Sequence, residues 1–433
     1  MKKTKFDTIF RLSKYGTNLN RELFAGMIGY FTIAYILIVN SLILGEAGIP
    51  LDGAIIATIL LSAVSCIFIG FWANVPVILV PGMGVNALFA YTMVMAMGLS
   101  WQSALGAVFI SGLIFVLIAF TKYSRLLNDS IPNSLKEAIS VGLGLFLILL
   151  GLEKGGLIEK GTNSIIAIGD FKDPEVLAMV LTFFLAIALF IKNVPGNFLL
   201  TILGGSVIAA LLGNIDFSGV TWTGLNGDAY ENVFLSLSFL EINTAEFWMA
   251  VFTMSMVLIF ENIGLVHGHM ESLQRQEGYQ KSFQATGVSV LLSGLFGSSP
   301  TVATVETAAG IASGGRTGLT SIMTGVLFLA SLLFIPVIKI IPDTAIAPIL
   351  IIIGILMIGT IKKMDFSDFT ESIPAILIMT AIPFTYSIAD GMAFGFIMYP
   401  FLKLVTGRRK EISPAIFIIA LLFLGYFLIG TLE

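Results

Sequence analysis

The chain has 433 residues, of which 57% are hydrophobic and only 12% charged, with a formal net charge of −4 and a mean hydropathy of +0.97. That balance excludes an ordinary soluble globular protein and offers no basic excess for nucleic acid. It fits an integral membrane protein, in which each helical span takes about 20 mainly apolar residues.

The N-terminal stretch MKKTKFDTIFRLSKYGTNLNRE is polar and charged and carries no small-residue cleavage site behind a short apolar core, so the first span is expected to direct insertion itself. Apolar runs then predict spans near 24–45, 53–72, 76–97, 102–121, 135–152, 175–192 and 197–213. After the polar stretch 214–246 they resume at 247–267, 283–297, 300–314, 318–336, 344–361, 371–388 and 391–405, with one more apolar stretch at 414–430. That last stretch is long enough to span the bilayer or to lie along its surface.

Lys2, Lys3, Lys5, Arg11, Lys14 and Arg21 precede the first span, and Lys122, Arg125 and Lys136 surround the loop after the fourth. Arg275, Lys281, Lys362, Lys363, Arg408, Arg409 and Lys410 fall in later loops. All place the N-terminus in the cytoplasm under the positive-inside rule. The stretch 214–246 holds Asp216, Asp228, Glu231, Glu241 and Glu246 with no Lys or Arg, as an extracytoplasmic loop should, and Trp222 and Trp248 suit the interface. Seven spans, an external loop and seven more start the second half from the opposite side of the membrane. This predicts an inverted repeat of 7+7 spans, a plan that secondary transporters use, with the substrate near the midplane.

The third span of each half carries a break. Val80–Tyr91 holds Pro81, Gly82 and Gly84, and Ser298–Gly310 opens on Ser298, Ser299 and Pro300. Non-helical backbone at that depth has to be satisfied by protein or line a cavity, and a half-helix starting there points its positive end into the gap. Two carboxylates stand in otherwise apolar runs: Glu261 in Phe252–Met270 and Glu306 in Pro300–Gly310. A charge at the bilayer centre costs roughly 2.5–3.5 kcal/mol even on insertion scales, so such residues face a cavity, a partner or a substrate path.

Other candidates carry less. His267 and His269, the only two histidines, sit at i and i+2 and do not face one way on a helix; with no cysteine or acidic pairing, no metal site and no cofactor are expected. Gly310, Gly314, Gly315 and Gly318 around Arg316 lack the Lys-Ser/Thr of a nucleotide loop, and Arg316 reads as a cytoplasmic anchor. Cys66, the single cysteine, reads as a small apolar residue. Lys136 and Glu137 read as an interfacial cap and Asp390 as a turn residue. No nucleophile–base pair marks an enzyme.

The strings TIAYILIVN at 32–40, PGMGVNALFAYT at 81–92, FENIGL at 260–265, VETAAGIASGGRTGLTS at 305–321 and IPDTAIAPILIIIG at 341–354 resemble the nucleobase:cation symporter-2 superfamily, in its AzgA-like adenine/guanine/hypoxanthine permease branch. The resemblance covers nearly the whole chain. It implies an all-α polytopic protein of the plasma or inner membrane with fourteen transmembrane segments in two inverted 7-span repeats, in which spans 3 and 10 are broken or extended. The core domain would be formed by 24–121 and 247–336 and the gate domain by 135–213 and 344–405, with 1–23 as a cytoplasmic N-terminus, 214–246 as the extracytoplasmic loop and 414–430 as an extra C-terminal helix. It further implies uptake of purine nucleobases in symport with protons by a homodimer, with sodium as the alternative ion.

Carried over residue by residue, the resemblance places the substrate at Glu261, Glu306 and Asn86, with Phe89, Thr304 and Val305 beside them, and leaves open whether Phe89 or Tyr91 stacks on the base. Where the branch has Asp in a D-T-x-G string, this chain has Glu261-Asn262-Ile263-Gly264, nearer to the uracil and xanthine relatives, so a uracil/xanthine-type symporter is the alternative. An anion carrier of the sulfate-permease type would be expected to offer neutral or basic groups in place of Glu306. The chemistry agrees with a purine, whose edge presents N–H donors and ring acceptors. A carboxylate takes paired N–H groups, an amide both donates and accepts, and apolar walls hold the ring. A carboxyl in a poorly solvated pocket can also exchange its proton near neutral pH as access alternates. Glu261 is therefore expected to be the main proton-linked group and Glu306 the main base-binding group.

Overall fold

The computed structural model describes residues 5–121, 130–161, 164, 166–215 and 227–430. Lys2, Lys3, Lys122, Arg125, Asp216 and Trp222, which carry part of the charge asymmetry, lie outside the described residues. The described chain is predominantly helical, and nine of its helical stretches, among them Leu19–Glu46, Gly318–Ile338 and Asp343–Lys363, which each join more than one element, are long and apolar enough to cross a bilayer. In chain order the elements of the first half are α1 (Lys5–Phe10), α2 (Leu19–Ile33), α3 (Ile36–Glu46), α4 (Leu51–Trp72), the strand β1 (Leu79–Pro81), α5 (Met83–Ala87), α6 (Trp101–Ala119), α7 (Asn133–Lys154), the strands β2 (Ile158–Lys160) and β3 (Ile166–Ile168), α8 (Pro174–Ile191) and α9 (Asn197–Leu211). The second half runs α10 (Gly227–Glu231), α11 (Ala245–Ser272), α12 (Tyr279–Phe296), β4 (Thr301–Ala303), α13 (Thr307–Ala312), α14 (Gly318–Ala330), α15 (Ile335–Ile338), α16 (Asp343–Ile358), α17 (Phe369–Thr385), α18 (Ile388–Val405) and α19 (Pro414–Gly430).

Several helices start where a short polar side chain can take an unpaired backbone N–H. Asn18 accepts from Arg21 N, Ser100 from Ser103 N, Asp173 from Glu175 N with Pro174 as the first residue, Thr244 from Phe247 N, Asp368 from Thr370 N and Ser387 from Asp390 N. Asp390 therefore lies in the first turn of α18 rather than in the turn before it. The first apolar run, read from sequence as one span over 24–45, is divided at Ala34–Tyr35 between α2 and α3.

The helices fall into two packing groups. In one, α6 lies on α12 and α11, α14 lies on α4 and α2, and α4 also touches α3 and α12; in the other, α7 lies on α16 and α17, α17 on α18, and α8 and α9 on each other and on α16. Their outward faces are apolar, with Phe184, Leu211, Phe394 and Leu333 exposed as lipid-facing side chains would be. α19 packs on α18, burying Ile416 and Phe423, and the Phe423 ring meets Phe252 at 5.3 Å and Phe396 at 6.0 Å.

The two broken stretches pair with each other. β1 and β4 form an antiparallel ribbon with Leu79 opposite Ala303, Val80 opposite Val302 and Pro81 opposite Thr301. Gly82 N donates to Pro300 O at 3.2 Å and Thr304 N to Ile78 O at 3.4 Å, which continues the ladder at both ends. Residues 79, 81, 301 and 303 thus occupy the pairs whose backbone groups point away from the ladder. A ribbon at membrane depth has no water to satisfy those groups, and side chains do so instead. Ala303 N donates to Asn262 Oδ1 at 2.9 Å, Thr301 N to Ser293 Oγ at 3.2 Å, and the Cys66 thiol to Leu79 O at 3.3 Å. Pro81, which has no N–H to offer, sits at one of these outward positions. Gly82 is required by proximity, since a Cβ there would lie 2.6 Å from Val302 Cγ2.

Candidate functional site

From the ribbon each chain segment turns into a short helix. Pro81-Gly82 leads into α5, which continues as π-helical backbone over Leu88–Ala96, and Thr304-Val305-Glu306 leads into α13, with Glu306 at the N-cap position. Beside this junction lies a cavity of about 470 Å³, within the roughly 300–1,000 Å³ typical of small-molecule sites. Its inner wall is formed by Tyr35 and Ile36 at the α2–α3 break, Pro81–Gly84, Glu261 and Gly264 of α11, and Val302 and Thr304–Glu306. The opposite wall comes from α7 (Ile139, Ser140, Leu143) and α16 (Ile353, Leu356, Met357), and Asn133, Lys136, Glu137, Thr360 and Lys363 also line it.

Four of the six residues expected at the site line this cavity: Glu261, Thr304, Val305 and Glu306. Val305 is 58% exposed, its apolar side chain forming open wall. Glu306 Oε1 accepts from the Tyr35 hydroxyl at 2.7 Å. Glu261 Oε2 is buried with no hydrogen-bond partner among the described residues. A buried carboxylate oxygen left unpaired is costly, so the arrangement suits a ligand or proton that completes it.

Asn86 and Phe89 do not line the cavity. Both are fully buried, and neither side-chain polar atom of Asn86 has a hydrogen-bond partner among the described residues. Tyr91, the other candidate aromatic, donates its hydroxyl to Glu46 Oε2 at 2.8 Å. His269 is buried near the end of α11 while His267 is exposed. No group of three or more His, Cys, Asp or Glu with metal-binding geometry occurs among the described residues.

Sequence reasoning passed over three residues that build the site. Tyr35 holds Glu306, and its only signal was a phenol within an apolar run. Asn262 was seen as part of the Glu261 string, yet it is the residue that pins β4 to α11. Asn40 donates to Thr58 Oγ1 at 2.8 Å and Ser298 Oγ at 3.2 Å and accepts from Ser299 Oγ at 2.6 Å, tying α3 to the turn before β4. A fully buried amide in an apolar helix is the signal for such interhelical ties. Lys136 and Glu137, read as an interfacial cap, are at the cavity wall. Arg316 Nη1 donates to Ile311 O at 2.7 Å and Gly315 O at 2.8 Å, closing the end of α13, and its own backbone N–H donates to the buried Glu22 of α2 at 2.9 Å.

The Permease family model Xan_ur_permease matches residues 20–394. The chain is 48% identical to "Nucleobase transporter PlAzg2" of Paenibacillus larvae, over 88% of this chain and 76% of that one. It is 33% identical to "Guanine/hypoxanthine permease PbuO" of Bacillus subtilis, over 96% of this chain and 98% of that one. With "Adenine permease AdeQ" of Escherichia coli the identity is also 33%, over 96% of this chain and 94% of that one. Among solved structures, the transmembrane domain of a cyanobacterium bicarbonate transporter, BicA, superposes with a TM-score of 0.67 at 18% identity, covering 87% of this chain and 97% of that one. Murine Slc26a9, an anion transporter in the inward-facing state, gives 0.66 at 10% identity, covering 89% and 68%. Identities this low speak for the fold alone. With the family model spanning most of the chain and relatives matching it nearly end to end, the protein belongs to the Permease family of nucleobase:cation symporter-2 proteins, in its AzgA-like branch.

Proposed function

We propose that this permease carries purine nucleobases into the cell in symport with protons, by alternating access. The observation that carries the reading is the cavity where two broken helices meet, with Glu261 and Glu306 on one wall and apolar residues opposite. A flat heterocycle fits that chemistry: Glu306 accepts from ring N–H groups, Thr304 adds a hydroxyl, and Val302, Val305 and Ile36 cover the ring faces. Glu261, with an unpaired buried oxygen, is the proton-linked group. Asn86 and Phe89 act behind the wall, by supporting α5. Two carboxylates facing the cavity disfavour an inorganic anion as cargo, whatever the fold shares with anion carriers. The names of the relatives, which print guanine, hypoxanthine and adenine, favour purines over pyrimidines.

The two packing groups are the natural candidates for the moving parts. The group holding the ribbon would be the core domain and the group built on α7 and α16 the gate domain, with fourteen spans related as 7+7 and the chain working as a homodimer. A cytoplasmic mouth and N-terminus are part of this reading, supported under the positive-inside rule by Lys136 and Lys363 at the cavity wall and by Arg408–Lys410 in a later loop. α19 would span the membrane, since its exposed face is also apolar (Phe417, Ile418, Leu421, Leu422, Leu424), unlike that of an interfacial helix.

The test is uptake of labelled hypoxanthine, guanine and adenine by proteoliposomes under an imposed pH gradient, with and without sodium and with a protonophore. Glu306→Gln should lose purine binding. Glu261→Gln should keep exchange of purine for purine but lose the response to the pH gradient. Uptake of sulfate or bicarbonate without any purine uptake would overturn the reading.

A further inference from the structure

One stripe of α7 faces both open and sealed ground. Lys136, Ser140 and Leu143 line the cavity, and Phe146, Leu150 and Lys154 continue the same helical face beyond it without lining it. The cavity therefore ends at Leu143, and from there to Lys154 lie 11 residues, about 16 Å of helix at 1.5 Å each. What fills that length is a set of contacts between the two packing groups. The Phe146 ring is fully buried, 5.8 Å from the Tyr91 ring and 5.6 Å from the Tyr386 ring, edge-on to both. Thr92 Oγ1 accepts from the backbone N–H of Ile388 at 3.0 Å, taking a donor at the first residue of α18. At the far end Lys154 of α7 forms an ion pair with Glu46, the last residue of α3, and the Tyr91 hydroxyl holds the other oxygen of Glu46.

Tyr91 and Thr92 lie on the helix that begins at Gly82 and Met83, on the cavity wall. One continuous helical segment thus carries the cavity wall at one end and the seal at the other. We propose that Glu46, Lys154, Tyr91, Phe146 and Thr92 form the gate that closes the substrate site on the face opposite the cavity mouth, and that the Glu46–Lys154 pair and the Thr92–Ile388 bond break and re-form in each transport cycle. This rests on the alternating-access reading above. The polar and aromatic contacts named here that join the two groups are an ion pair, a hydrogen bond and an aromatic edge, each lost with a relative shift of a few ångströms. The ion pair is partly exposed, with side chains 14% and 33% accessible, as a pair that separates and re-forms should be.

The experiment needs no substrate, so its outcome is separate from that of purine uptake. Leu143→Cys places a thiol at the inner end of the cavity, and a membrane-impermeant thiol reagent is applied to sealed vesicles of either orientation; the native Cys66, buried in α4, serves as the background. In the otherwise native protein, labelling should come from the cavity-mouth side. Adding Lys154→Ala should raise labelling from the opposite side about tenfold, the population change that about 1.4 kcal/mol produces. The exchange Glu46→Lys with Lys154→Glu should restore the seal, a rescue that a purely structural role would not give. Should Lys154→Ala fail to fold, Tyr91→Phe, which removes only the hydroxyl on Glu46, should give the same change at smaller amplitude. Unchanged sidedness in both variants, or no rescue by the exchange, overturns the proposal.

Discussion

Asn262 links the helix bearing one site carboxylate to the strand that leads to the other, so its removal should be felt in both stability and binding. Its Oδ1 is the acceptor for Ala303 N at 2.9 Å, and its Nδ2 donates to Leu258 O at 2.8 Å within its own helix. Asn262→Ala leaves the Ala303 N–H buried and unpaired, which costs about 1–3 kcal/mol, while the Leu258 carbonyl stays within its helical ladder and adds little. Taking about 2 kcal/mol in total, and supposing that all of it weakens the arrangement that binds purine, the affinity should fall by up to about thirtyfold at 1.4 kcal/mol per decade. Ser255→Ala is the control: Ser255 is buried on the same helix, but among the described residues its hydroxyl bonds only to Val251 O, one turn back, so its loss should cost well under 1 kcal/mol. Melting of the purified protein with and without hypoxanthine, together with equilibrium binding, reads both effects. An Asn262→Ala protein that melts and binds no worse than Ser255→Ala would refute the reasoning.

Glu22 is fully buried and accepts from Arg316 N, Thr317 N and the Thr320 hydroxyl at 2.9, 3.1 and 2.6 Å, so it serves as the anionic cap of α14. Glu22→Gln keeps one acceptor oxygen for three donors and should lose about 2 kcal/mol, seen as a lower melting point with no change in which bases compete for binding; an unchanged melting point would contradict the cap. Asp368, in the loop before α17, is held at about 2 by the hydroxyl and backbone N–H of Thr370, with Arg408 adding to the effect. Because the folded value lies below the ordinary 3.8, its stabilisation is present above that pH and disappears as pH falls through about 2. The gap in melting temperature between the native protein and Asp368→Asn should therefore be constant at neutral pH and close between pH 3.8 and about 2; a gap that persists at the acid end would rule this out.

The parts of the fold that were legible in the sequence were those marked by contrast. Glu261 and Glu306 stood out because charge is rare in apolar runs, and both prove to line the same cavity. Pro81, Gly82 and Pro300 marked the interrupted spans because clustered Pro and Gly are poor residues for a helix interior, and Ser298 stood beside them. What stayed hidden depends on partners far away in the chain. Nothing local says that Val80 pairs with Val302, that Asn262 serves Ala303, or that Glu46 meets Lys154. The break at Ala34–Tyr35 was hidden for a different reason: its residues are as apolar as those around them, so the run reads as continuous. The family string led to Asn86 through its match alone, and only packing shows that the cavity stops short of it.

The ribbon joining the two halves has a further consequence. Side chains alternate sides along a strand, so the pairing of Val80 with Val302 fixes which residues of each half face the cavity. A slip of a single position would turn the segment before Glu306 over and put its outward N–H groups where no acceptor waits. Inserting or deleting one residue in either broken stretch would thus be punished in the other half as well, so the two halves of the chain are bound to change together in length at this point, however freely their loops drift apart.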